Sequence, residues 1–162
     1  MAYIEFNCLP TIIGSLPHTD PDAACEFVAR HLRDIPAWPQ LPRRSFRENM
    51  YAQYAEGFPG AVIRDDKLFI DRAQDLDGAL ERLYAAYLAN DIQTFPISPG
   101  HAAGLYEFLK LTYILPKAVK GQVTGPVSWG LTVTDNDGRS IIYDDTLSDA
   151  AARLLRLKAA WQ

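Results

Sequence analysis

Lys120-Gly-Gln-Val-Thr-Gly-Pro-Val-Ser128 is the stretch on which the reading of this fold turns. A short β-favouring run meets a Thr-Gly-Pro turn, and Pro126 then stands at a helix start, where its missing N–H costs nothing. In chains that alternate strand and helix, the ends of the strands gather the functional residues. Thr11-Ile-Ile-Gly-Ser-Leu-Pro-His-Thr19 has the same grammar: apolar strand, Gly-Ser turn, capped helix. Two such turns suggest repeated units facing one site.

Working outward, residues 10–16, 35–41, 92–98 and 118–123 read as strands, the second of them interrupted by Pro36, Pro39 and Pro42. Asp20 caps a helix with Pro21 in its first turn, and Ala24, Phe27, Val28 and Leu32 form its apolar face. A helix is expected over Ser45 to Glu56, with Phe46, Met50 and Tyr54 on one side. A small inserted hairpin follows over 61–70, turning at Asp65-Asp66. Leu76, Leu80, Leu83, Tyr84, Tyr87 and Leu88 stripe a helix that begins at Asp75 and stops near Asn90. The run from Ala102 to Leu115 is apolar nearly all round, which predicts a helix buried on more than one side. A polar loop over 135–138, a brief extended piece over 141–143 and a last helix from Asp145 complete the chain.

This order predicts an α/β fold: four parallel strands with outer helices and a small inserted hairpin, half of a (β/α)8 TIM-type barrel. A closed barrel needs eight units and about 250 residues, and the chain has 162. Residues 1–162 are expected to form a single domain, incomplete at the C-terminus. The last helix, striped by Leu147, Ala151, Leu154, Leu155 and Trp161, stops without a capping signal. An open half-barrel exposes strand edges and an apolar inner face, so self-association or a second half-barrel chain is expected.

Composition narrows the function classes. Net charge is −4, with 48% apolar and 22% charged residues. The pI of about 5.3 argues against sequence-independent nucleic-acid binding, which needs a basic surface. The one basic cluster, Arg43-Arg44 with Arg47, faces an anionic ligand or is scattered surface charge. Cys8 and Cys25 form neither a CxxC nor a His-x-Cys pair; Cys25 reads as a small buried thiol. The opening residues Met1-Ala-Tyr-Ile-Glu-Phe6 lack the pattern of a signal peptide, and no apolar run approaches the roughly 20 residues that cross a membrane. A cytoplasmic location is expected.

If the units are parallel, the turns after the strands share one face. They bring together Gly14, Ser15 and His18, then Gln40 and Arg43, then Ser98 and His101, then Gln122, Thr124 and Gly125. Ser15 and the neighbouring N–H groups precede a helix start, a position that binds carboxylate or phosphate or else is an ordinary turn. His18 and His101 read as loop histidines, with no partner at metal-ligand spacing. His31 reads as structural, and the loop aspartates lack the glutamate that a calcium loop requires. Neither a Gly-x-Ser-x-Gly elbow nor a GxxxxGK[ST] loop is present. No catalytic residue is identifiable on this basis.

Ile13-Gly-Ser-Leu-Pro-His-Thr19 and Gly121-Gln-Val-Thr-Gly-Pro-Val127, with Trp38-Pro-Gln-Leu-Pro42 and Ile97-Ser98 between them, resemble the cobalamin-independent methionine synthase and uroporphyrinogen decarboxylase superfamily of (β/α)8 barrels. The likeness is to the smaller methionine-synthase-like proteins and covers the first half of the catalytic barrel. It implies methyl transfer to a thiol such as homocysteine, from a donor of the 5-methyltetrahydrofolate type. Ile13, Gly14 and Ser15 would hold the amino-acid part of the substrate, with His18, Gln40, Ser98, Thr124 and Gly125 completing the substrate-binding set. The resemblance implies zinc only in the complete family barrel, because its His-x-Cys ligands lie in the second half; none is expected in this chain. Where the methionine synthases place a glutamate for the substrate ammonium, this chain offers Gln40. The chain is therefore expected to supply the amino-acid-binding half of a methyltransferase site and to be inactive alone. The alternatives are a non-catalytic small-anion-binding or assembly subunit and a uroporphyrinogen-decarboxylase-like protein. Against the last, the first turn is not arginine-rich.

Overall fold

The computed structural model describes residues 6–162. Met1 to Glu5, most of the run read for a signal peptide, lie outside the described residues. Six α-helices and a small sheet follow: α1 (Pro21–His31), α2 (Met50–Ala55), β1 (Ala61–Arg64), β2 (Lys67–Ile70), α3 (Leu76–Leu88), α4 (Ala103–Phe108), α5 (Pro126–Thr132), β3 (Thr134–Asp135) and α6 (Asp145–Trp161).

The half-barrel is not there. The sheet among the described residues has three strands in the order β1-β2-β3. β1 and β2 pair antiparallel, and only the short β2–β3 contact is parallel. The hairpin expected as an insertion thus supplies two of the strands, and the turn residues Asp65 and Asp66 both adopt positive φ (50° and 53°), as a primed hairpin turn requires. None of the four segments expected as parallel strands forms a ladder, and the third begins with a turn over 92–95. The first meets the second at one bridge, Ser15↔Gln40, and the second meets the fourth at another, Ala37↔Lys120, both parallel. The physical cause is proline. Pro36 and Pro39 remove N–H donors from the second segment, with Pro42 just past its end, and Pro96 does the same in the third, followed by Pro99.

Helix lengths are corrected for similar reasons. The helix expected to reach Leu115 ends at Phe108. β-branched Thr112 and Ile114 precede Pro116, which disfavours helix in the residue before it. Leu109 and Leu115 are consequently 67% and 97% exposed, not buried. The helix expected over 45–56 splits into a 3-10 turn (Phe46–Glu48) and α2, because the Asn49 side chain caps α2 by accepting from the Tyr51 N–H at 3.0 Å. Met50, expected on the buried side, is 41% exposed, while Ala52, Gln53, Tyr54 and Ala55 turn inward. The extended piece expected at 141–143 is a 3-10 turn, and the loop expected from Asp135 contributes to β3.

Other expectations hold. Asp20 caps α1, accepting from the Asp22 N–H, with Pro21 in the first turn. Asn90, at φ 52°, ends α3 in the left-handed conformation common after helix C-termini. Phe27, placed on the α1 stripe, instead lies between the His18 and His31 rings (centroids 5.6 and 4.7 Å), so His31 is a packing residue. Cys25 is buried against the Gly104 carbonyl, and burial pushes its thiol up to about 12. Cys8 is free and exposed.

A single apolar core joins Val28 of α1, Trp38, Tyr54 of α2, Ile70 of β2, Leu83 of α3 and Leu154 of α6. α1 packs on α4, while α3 and α5 pack on α6. Gly104 is what lets α4 lie against the second extended segment. A Cβ there would sit 2.0 Å from the Pro39 carbonyl oxygen.

Candidate functional site

The two turns that open the sequence reading meet in space. Gln40 donates its backbone N–H to the Gly14 carbonyl (2.8 Å) and accepts from the Leu16 N–H (2.9 Å), so Ser15 and Gln40 lie side by side. Gly14 has φ +131°, and a Cβ on it would stand 2.4 Å from the Gln122 side-chain nitrogen. Only glycine admits both the backbone angle and the approach. Lys120 closes the contact by donating its ammonium to the Ile13 carbonyl (3.2 Å). Residues from the first, second and fourth segments therefore form one polar surface around Gly14.

A chain of amides runs inward from it. Gln40 Nε2 donates to Gln53 Oε1 (2.6 Å), and Gln53 Nε2 donates to the His101 carbonyl (2.6 Å). Ser15 Oγ stands 3.5 Å from Gln40 Oε1. Gln122 Nε2 donates to the Trp38 carbonyl (3.0 Å), and the Tyr54 hydroxyl donates to the Gln122 carbonyl. From the last helix, Gln162 reaches back to Trp38 Nε1 (3.1 Å) and the Tyr54 hydroxyl (3.3 Å).

Several buried polar atoms have no hydrogen-bond partner among the described residues: Gln122 Oε1, Thr124 Oγ1, Glu48 Oε2 and His18 Nδ1. Each is a group whose desolvation is uncompensated, the condition a ligand relieves. Glu48 is fully buried and bridged to Arg44 at 2.6 Å. Burial raises its carboxyl above the ordinary value, with Arg44 pulling the other way. It lies against the Leu41 backbone, next to Gln40.

The expected site residues divide accordingly. Gly14, Ser15 and Gln40 come together, with Gln122. Ile13 contributes its carbonyl, while its side chain is 82% exposed. Thr124 is buried and unpartnered, and Gly125 caps α5 with open space beside it. Ser98 joins through its turn partner His101, whose carbonyl ends the amide chain. His18 stacks on Phe27 instead of joining the amide chain. Among the described residues, no group of three or more His, Cys, Asp or Glu side chains is placed to hold a metal ion.

Sequence reasoning passed over Gln53, Glu48, Glu56 and Lys158. Gln53 and Lys158 share a signal, a polar residue inside an apolar helical stretch: Gln53 between Ala52 and Tyr54, and Lys158 beside Leu157. Glu48 and Glu56, in a turn and past a helix end, have none. Lys158 Nζ donates to the Pro96 carbonyl at 3.1 Å, and burial lowers its ammonium to about 8.

A cavity of about 670 Å³ lies elsewhere, between the 3-10 turn, the hairpin and the 132–138 segment. Its buried acid, Asp135, is already held by Arg72 (2.8 Å) and by the N–H groups of Asp137 and Arg139. Size alone does not outweigh the unpartnered Gln122 oxygen beside Gly14.

Compared with known proteins, the chain matches no family model, no curated protein and no solved structure.

Proposed function

We propose that the chain is a methionine-synthase-like methyltransferase module whose Gly14–Ser15 turn binds the amino-acid part of a thiol substrate such as homocysteine. One observation carries this: the two motifs behind the resemblance meet, with Gln122 packed on Gly14, Lys120 just before the second motif bonded to Ile13, and Gln40 beside them. The Ser15 hydroxyl and the exposed turn supply donors for a substrate carboxylate. Gln40 offers its amide oxygen toward the ammonium, which it holds less strongly than a carboxylate would. The methyl-donor half of the chemistry belongs to a partner chain or a second copy, and alone the chain binds without turnover.

Titration calorimetry with L-homocysteine tests this. Saturable binding is expected, weakened about tenfold in Ser15→Ala, the effect of one charge-assisted hydrogen bond. No heat at millimolar homocysteine would overturn it. Equal affinity for acetate and homocysteine would favour the second reading, a small-anion-binding subunit, for which the exposed Ser15 turn also speaks. A tetrapyrrole ligand is disfavoured, because Arg44 is already committed to Glu48.

The proposal includes a cytoplasmic location, where free thiols such as Cys8 and Cys25 persist. What the structure itself contributes is that no helix among the described residues is long and apolar enough to cross a membrane.

A further inference from the structure

Glu56, just past the end of α2, holds both ends of the Ser98–His101 turn. Its Oε2 accepts from the Ser98 N–H (2.8 Å), and its Oε1 stands 3.2 Å from His101 Nδ1. The Ser98 hydroxyl is 3.1 Å from the same ring nitrogen, and the turn closes with the His101 N–H donating to the Ser98 carbonyl (2.9 Å). Gln53 fixes the His101 carbonyl from the other side. An imidazole held this way has one orientation: Nδ1–H toward the carboxylate, Nε2 on the opposite edge. Nε2 has no hydrogen-bond partner among the described residues.

The ring forms part of the wall of a cleft of about 240 Å³, shared with Arg47, Gly57, Ala61 and Ile63. Both Glu56 oxygens are engaged, so the cleft does not present a free acid. Arg47, unlike Arg44, makes no ion pair among the described residues, and it is exposed at the rim. Of the basic cluster noted in the sequence, Arg44 is thus tied to Glu48 while Arg47 stands at this cleft.

The geometry points to a second small-molecule site, in which Arg47 and His101 Nε2–H bind a short-chain carboxylate. A forked guanidinium and one ring N–H match the two oxygens of a carboxylate. A phosphate would leave oxygens without donors. Ala61 and Ile63 give a short alkyl tail an apolar surface. This site is distinct from the Gly14 turn and does not rest on the methyltransferase reading.

The test is NMR of the His101 ring in the full chain, with acetate as probe and phosphate as comparison. Acetate is expected to shift the ring signals saturably at pH 6, with about tenfold weaker binding in Arg47→Ala. Arg47 is exposed, so its variant folds. Ring signals unmoved by acetate at pH 6, binding unchanged in Arg47→Ala, or phosphate binding tighter than acetate would each overturn the proposal.

Discussion

At the scale of single residues, Gly14 and Glu56 show how local chemistry sets the candidate sites. Gly14 carries two demands at once, a backbone angle that L side chains rarely adopt and the close approach of the Gln122 amide. Gly14→Ala should cost about 2 kcal/mol, read from the denaturant midpoint. Adding Gln122→Ala should recover only part, because the contact is relieved and the backbone strain is not. Glu56 answers to pH. Burial acts to raise its carboxyl, but hydrogen bonds from His101 and Ser98 outweigh it and hold the group at about 2, against an ordinary 4.5. A depressed acid contributes stability above its unfolded value and loses it as pH falls toward the folded one. The native chain should therefore lose about 3 kcal/mol at most between pH 4.5 and 2 through this group. Glu56→Gln should flatten that part of an acid-unfolding curve followed by circular dichroism.

At the scale of elements, the arginine after β2 ties the sheet to the last helix. Arg72 bonds Asp135 at the end of β3 (2.8 Å) and Asp144, the N-cap of α6 (2.9 Å). Asp135 is nearly buried, so removing its cation leaves a desolvated carboxylate, though two backbone N–H groups still reach it. Arg72→Ala should destabilise by about 1–2 kcal/mol in thermal melts. Elements also explain where the sequence was legible. α1, α3 and α6 combine a cap residue with a sustained apolar period, and all three start where expected. Ala102 to Leu115 has the apolar content of a helix but not its local preferences, and only its first half is helical.

At the scale of the whole molecule, α6 organises the core. Leu154 is 1% exposed, in the helix against which both α3 and α5 pack. Leu154→Ala should cost about 2–5 kcal/mol, by lost burial and the cavity left behind, visible as a shifted urea midpoint with an unchanged slope. On the outside, Ile13, Leu88 and Leu115 are each at least 80% exposed. With the proposed partner or second copy in mind, sedimentation at micromolar concentration should show a species heavier than the 18.1 kDa chain. A single monomeric boundary would speak against association.

What the sequence determined by itself was local. Caps, prolines and 3.6-residue periodicity place the helices and the hairpin, because each signal acts within a few residues of where it stands. The pairing of Ser15 with Gln40 was half legible, since it follows from parallel segments whatever their length. The sheet was not legible. Apolar alternation says that a segment is extended, but whether it forms a ladder depends on which N–H groups the prolines leave free and which neighbours arrive. The Glu56 grip on the Ser98–His101 turn was not legible either. A carboxylate 45 residues before its imidazole partner has no sequence signature, and only the packing of α2 against that turn brings them to 3.2 Å.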